Sequence, residues 1–216
     1  MATIEDKEYF LNNMIMRDVK EMSTMMVCKM SGKFKNSEEA SLDLDGFDTS
    51  YETNMSYMFQ GCSKLEKINL EYIETSEVID MRAMFFDCPL LTILDLSNFD
   101  TSNAADMRGM FAYCNSLKSL DISNFDFSKI KPYCTAGMFE ACTSLTDLKF
   151  GNNLKTSLDL SDCPLSYESA LSVINGLAKV INGKSIYFSE EVYDQLSTED
   201  IQKAKEKNWI ITFFIK

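Results

Sequence analysis

Seven cysteines, 33 carboxylates and no histidine set the chemistry open to this chain of 216 residues. Four cysteines, Cys62, Cys88, Cys114 and Cys142, recur at steps of 26, 26 and 28 residues, each closing the motif Met-Phe-x-x-Cys. Three uses suit such a row: disulfides, a thiolate metal site, or thiols that serve the backbone. Stacked copies would bring neighbouring Cα atoms near bridging distance. However, side chains stacked in register run parallel and do not converge on one bond. An odd cysteine total rules out a complete intrachain disulfide framework, and no CxxC spacing occurs. Free cysteine is among the most buried residue types, so a structural ladder of reduced, buried thiols is expected. Cys28, Cys134 and Cys163 fall outside that row. The missing imidazole excludes Ser-His and Cys-His pairs, His-ligated zinc and histidine acid–base chemistry.

Carboxylates offer a second candidate chemistry, cation binding. Asp43, Asn69, Asp95 and Asp121 share one phase and should form a row along a strand face. Yet Asp48, Glu74, Asp100 and Asp126 also recur at a fixed phase, which reads as a turn or solubility device. No Asp-x-Asp-x-Asp-Gly loop is present, so no metal and no cofactor are expected. Residues that do not recur carry more information. Tyr72, Phe86 and Tyr113 stand at phases where other copies have Gly, Asn, Gln, Ala, Glu or Asp. Exposed aromatics on a rigid scaffold are typical binding anchors, and Phe86 and Tyr113 lie at adjacent phases of successive copies. Asp43, Asn69, Asp95, Asp121, Tyr72, Phe86 and Tyr113 are therefore the candidate partner-binding residues. Tyr187, Tyr193 and Trp209 could line a pocket, but their spacing fits ordinary core packing better.

The elements that must position these side chains follow from the period. Six residues after each cysteine comes an aliphatic triplet: Ile68-Asn69-Leu70, Leu94-Asp95-Leu96, Leu120-Asp121-Ile122 and Leu148-Lys149-Phe150, with an earlier Leu42-Asp43-Leu44. Self-similarity at this period is the signature of stacked repeats. Alternation points Leu94 and Leu96 inward and Asp95 outward. Turns such as Asn98-Phe99-Asp100-Thr101-Ser102 follow, with a buried aromatic and polar groups that satisfy the turn locally. Asp80 and Asp106 suit the N-cap of a short helical turn at each Met-x-x-Met-Phe. Residues 3–13 read as a helix, and Val19 to Met26 as a degenerate half-repeat, followed by a polar loop at 31–40. Past Phe150, a small outer strand at Leu158-Asp159-Leu160 is expected, then a helix from Ser166 to about Ile181 ended by Asn182-Gly183. A strand at 185–188, a helix from Ser197 to near Asn208 and a closing strand from Trp209 complete the chain. The sheet should continue through this tail to a capped edge. These units, 1–41 as N-terminal cap, 42–155 as repeats and 156–216 as a β/α cap, should form one continuous domain.

The formal charge of −12 opposes nucleic-acid binding, which needs cationic side chains to displace counterions, and opposes an anionic membrane surface. No signal peptide is visible, and no apolar run is long enough to span a membrane.

The order Met-Phe-x-x-Cys-x-x-Leu-x-x-Leu-Asp-Leu-Ser-Asn-Phe-Asp-Thr-Ser resembles the BspA-type leucine-rich-repeat surface proteins of bacteria, whose repeats also occur in phage-encoded proteins. The match is strong over residues 55–150 and good over 42–50, and 156–216 looks like the tail that closes such arrays. The resemblance implies an α/β solenoid, right-handed, with a parallel β ladder, short helical turns on the convex side and a helix-containing C-terminal cap. It further implies adhesion without catalysis, with a protein or cell-surface glycan as partner. No lipobox or wall anchor is visible, which raises the alternative of a phage virion component that packs against other virion proteins or copies of itself. The expected location is a cell or virion surface. An enzyme is not expected: no glycine-rich phosphate loop and no nucleophile motif occur.

Overall fold

A computed structural model describes residues 30–214 of the chain. The helix at 3–13 and the half-repeat at Val19 to Met26 lie outside the described residues. Each aliphatic triplet lies beside its equivalent in the next copy. Strand β1 (Ser41–Asp43) pairs in parallel with β2 (Lys67–Asn69), Leu42 opposite Ile68. Strand β3 (Ser119–Asp121) pairs with β4 (Asp147–Lys149), Leu120 opposite Leu148. Between these pairs, residues 94–96 carry no strand, although Leu94 and Leu96 are buried as alternation requires.

The Met-Phe segments are tight turns, where short helical turns are expected. Left-handed residues interrupt them at a spacing of four: Tyr57 (φ 60°) and Gly61 (φ 72°), Ala83 (φ 51°) and Asp87 (φ 58°), Gly109 (φ 62°) and Tyr113 (φ 62°). A left-handed non-glycine residue costs roughly 1–2 kcal/mol, and no helix tolerates one every turn. Cross-copy hydrogen bonds offset that cost. The N–H groups of Met55, Tyr57, Phe59 and Gly61 donate to the carbonyls of Asp80, Arg82, Met84 and Phe86 at 2.8–2.9 Å, while Gln60 and Cys62 bond back three residues. Asp80 Oδ1 accepts from the Arg82 N–H at 3.0 Å, so it holds a turn and caps no helix.

Residues 31–40, expected as a polar loop, begin with another copy of this turn. Gly32 and Asn36 are its left-handed positions, and the N–H groups of Gly32, Phe34 and Asn36 donate to Ser56, Met58 and Gln60. Phe34 thereby joins a column of rings, Phe34, Phe59, Phe85, Phe111 and Phe139, with centroids 5.3–6.0 Å apart and planes within 22°. This column sits inside a single buried apolar cluster that runs from Met30 to Ile211.

Polar residues stitch the copies as well. Buried Thr75 donates from its hydroxyl to Asp100 O and accepts from Asp100 N–H, at 3.0 and 2.8 Å. Thr49 and Thr101 do the same toward Glu74 and Asp126. The threonine therefore bonds across copies, not within its own turn as expected. Asn98 and Asn124 reach back to the preceding copy, Asn124 Nδ2 donating to Leu96 O and Phe99 O.

The expected single sheet does not run into the tail. Helix α1 (Tyr167–Gly176), capped by Ser166, lies along β4, and its Ser169 and Ser172 hydroxyls accept from the N–H groups of Leu148 and Phe150 at 2.8 Å. Side chains thus replace the next strand on that edge. Helix α1 stops at Gly176, short of the expected Ile181, because Leu177 turns extended and bridges Leu154. A separate parallel sheet follows: β5 (Leu158–Leu160), β6 (Lys184–Phe188) and β7 (Trp209–Phe213), in that order. Helix α2 (Glu190–Tyr193), with Ser189 as its cap, was not anticipated. Helix α3 (Thr198–Glu206) starts in a capping box in which Ser197 and Asp200 satisfy each other's backbone.

Candidate functional site

The cysteine row is a set of free, buried thiols. Each donates to the phenylalanine carbonyl of the preceding copy: Cys62 to Phe34, Cys88 to Phe59, Cys114 to Phe85 and Cys142 to Phe111, at 3.1–3.2 Å. Phe59 O also accepts the N–H of Cys62, so the next copy's thiol occupies its second lone pair. Cys163 joins the row, against expectation, reaching Phe139 O at 3.7 Å. Its offset of 21 residues from Cys142 hides it from a search at the repeat period. Burial pushes the Cys114 thiol well above the ordinary value, so a reactive thiolate is disfavoured there.

Of the row Asp43, Asn69, Asp95 and Asp121, Asp43 lies opposite Asn69 in β1–β2 and Asp121 opposite Lys149 in β3–β4, while Asp95 falls where no strand forms. Asn69 Nδ2 donates to Asp43 Oδ1 at 3.2 Å, and Lys149 Nζ pairs with Asp121 Oδ2 at 3.0 Å. Most of these carboxylates already have work in the backbone. Asp95 accepts from the Ser97 N–H and Asp121 from the Ser123 N–H and hydroxyl. Those bonds hold both carboxyls below the usual aspartate range. Among the described residues, no group of three or more His, Cys, Asp or Glu is placed to hold a metal ion. A cleft of about 160 Å³ lies between Gly137, Phe139, Glu140, Asp159 and Asp162. Asp162 is engaged there, accepting the Ala141 N–H at 2.9 Å.

Phe86 and Tyr113 do share a patch. Their ring centroids are 5.3 Å apart with planes tilted by 55°, and the Phe86 ring lies against Gly109. Tyr113 donates its hydroxyl to Glu140 Oε1 at 2.9 Å, which raises the phenol's pKa. Three consecutive copies therefore contribute to one half-exposed surface. Tyr72 is exposed but stands at the phase of Asn98, after the strand, and does not join this pair. Trp209 is buried, its Nε1 donating to Ala178 O; Tyr193 packs on Phe213 and Tyr187 stacks on Phe214.

An arginine ladder on the same turn segments was not anticipated. Arg82 pairs with Asp80 at 2.7 Å and Asp106 at 3.5 Å, and Arg108 with Asp106 at 2.6 Å. The hydrogen bond to Asp80 raises the Arg82 pKa further. The Arg82 guanidinium also stands 5.8 Å from the Tyr57 ring centre. Its signal was present in sequence, since Asp-Met-Arg recurs at 80–82 and 106–108.

Two overlapping segments, residues 7–92 and 64–162, match the family described as "Mycoplasma protein of unknown function, DUF285". Together they span more than half of the chain, and the chain belongs to this family. No curated protein and no solved structure matches it. Among the described residues, no helix is long and apolar enough to cross a membrane.

Proposed function

We propose that this chain is a non-enzymatic recognition module that binds a protein or glycan partner at a cell surface. In this reading it is a right-handed α/β solenoid of leucine-rich-repeat type, similar to BspA-type proteins, and residues 1–41 and 156–216 close the array as caps. The parallel registers of about one repeat length support the solenoid. The observation that carries the function is the Phe86–Tyr113 pair, braced by Glu140 on turns tied to their neighbours by backbone hydrogen bonds. Amphipathic aromatics fixed in place lose little entropy on binding and dominate interface energetics. The absence of histidine and of phosphate-loop or nucleophile motifs supports a role without catalysis.

The test is binding of the labelled full chain to whole bacterial and host cells, compared with the Phe86→Ala/Tyr113→Ala double variant. Alanine already occupies both phases, at Ala112 and Ala141, and Ala141 also adopts positive φ. The variant should therefore fold. Binding by the native chain, weakened about tenfold or more in the variant, is expected. Assembly into a defined oligomer with no cell binding would favour the virion component instead.

A further inference from the structure

Asn-Gly occurs twice in the chain, at Asn175-Gly176 and Asn182-Gly183, and the fold treats the two pairs in opposite ways. An asparagine followed by glycine can close on itself. The glycine main-chain nitrogen reaches the asparagine side-chain carbonyl, because glycine has no Cβ to obstruct the approach and turns freely in φ and ψ. Closure needs a glycine N–H that is not engaged elsewhere and room for both residues to rotate.

Asn175-Gly176 lacks that room. Both residues lie in the last turn of helix α1. Gly176 is buried so close to the Gly151 carbonyl that a Cβ would overlap it, and its own carbonyl accepts the Leu154 N–H at 3.2 Å. Lys207 Nζ donates to the carbonyls of Ile174 and Asn175 at 3.3 and 3.0 Å.

Asn182-Gly183 is open. Helix α1 stops before it and leaves it in the connection to β6. Asn208 anchors this connection on both sides. Its Nδ2 donates to the Val180 and Ile181 carbonyls at 3.2 and 2.7 Å, and its carbonyl accepts the Lys184 N–H at 3.4 Å. Between those anchors Asn182 and Gly183 are exposed, and neither forms a hydrogen bond among the described residues. A Cβ added at Gly183 would meet only the Asn208 carbonyl, at 3.9 Å.

We propose that Asn182-Gly183 is a site of spontaneous deamidation, a modification of this chain that consumes only water. The Gly183 nitrogen, its proton taken by hydroxide, attacks Asn182 Cγ. A C–N bond forms, the Cγ–Nδ2 bond breaks, and the side-chain nitrogen leaves as ammonia with protons supplied by water. Water then opens the cyclic succinimide at either carbonyl. One opening gives aspartate; the other gives isoaspartate, whose main chain runs through the former side-chain carbon. Both products add a negative charge, and isoaspartate also adds a methylene to the main chain between the Asn208 anchors. Those anchors lead directly into the register of Lys184 opposite Trp209, where β6 and β7 begin. Isoaspartate therefore loosens that end of the sheet, and aspartate does not. This chemistry is independent of the Phe86–Tyr113 pair.

The experiment ages the full chain at mildly alkaline pH and follows its tryptic peptides by mass spectrometry. Cleavage after Lys179 puts the two Asn-Gly pairs on separate peptides. The peptide with Asn182 should gain about one dalton and split into two chromatographic forms, while the peptide with Asn175 keeps its mass. In denaturant both should react. Gly183→Ala, for which the structure has space, should slow the reaction at Asn182 about tenfold or more, and the native rate should rise with pH. Failure of Asn182 to react, equal rates at Asn175 and Asn182 in the folded chain, or a rate unmoved by Gly183→Ala would overturn the proposal. The aged chain should melt below the fresh one, whereas Asn182→Asp, which carries the charge without the methylene, should melt with it. An aged chain that melts as Asn182→Asp does would overturn the loosening of the sheet.

Discussion

Truncating Phe85 to alanine tests whether the ring column holds the copies together. Phe85 is fully buried, with Phe59 and Phe111 stacked on either side at 5.3 and 6.0 Å. Its backbone is also tied across copies, through the N–H to Met110 O and the carbonyl to the Cys114 thiol. The surroundings are therefore held on both sides and cannot collapse into the void. Removing a buried phenyl ring under those conditions costs about 3–5 kcal/mol. For a chain of this length that lowers the melting temperature by about 6–20 °C. Phe34→Ala, half-buried between the Phe59 and Phe47 rings, should cost about half as much, since part of its ring already meets solvent. Thermal melts followed by circular dichroism measure both. A Phe85→Ala protein melting within about 2 °C of the native one, under 1 kcal/mol, would refute the inference that the column carries the stack.

Two further outcomes follow from buried polar groups. Glu52 occupies the core phase of Val78, Ala104 and Ile130 and is buried, its Oε2 accepting the Met30 N–H at 3.3 Å. Burial raises its pKa above 4.5, against the opposing Met30 bond. The folded state then holds a proton that the unfolded state has released, so stability falls as pH rises from 4.5 through the raised value. Glu52→Gln should raise the melting temperature at neutral pH and gain little in acid; a gain independent of pH would refute this. Ser169→Ala orphans the Leu148 N–H at the edge of β4, at a cost of about 1–3 kcal/mol. Faster hydrogen exchange at the Leu148 amide should accompany that loss, and an unchanged exchange rate would refute the serine bond as the source of its protection.

The repeat and its inward residues are legible in sequence because one row of side chains, read at the period, names its own column. The caps of Ser166 and Ser197 are legible for the same reason: their hydroxyls need only local partners. What escapes is whatever depends on the neighbouring copy. Tyr57 and Ala83 give no sign of positive φ, because the conformation is stabilised by N–H groups donated to residues 25 positions away. Phe34 hides in a polar stretch, one residue out of the 26-residue step from Phe59. Ser169 and Ser172 read as unremarkable helix residues until β4 lies beside them. Of the candidate surface, Phe86 and Tyr113 are legible because they break a phase that is small or polar in the other copies.

Recurrence and function therefore separate on physical grounds. The threonine, asparagine, cysteine and aspartate that recur between copies all spend their polar atoms on backbone groups, within the turn or across to a neighbouring copy. A partner would have to compete with those bonds, and breaking one inside the stack leaves a buried group unpaired at about 1–3 kcal/mol. Exposed residues that depart from the pattern carry no such obligation, unlike buried Glu52. Their side chains can be exchanged for the residue of a neighbouring copy without disturbing a column, so their contribution to stability is small and any contribution to recognition is separable. On this argument the informative surface of the chain lies where copies differ, at Phe86 and Tyr113, and the acidic row that repeats along the strand face is chiefly part of the scaffold.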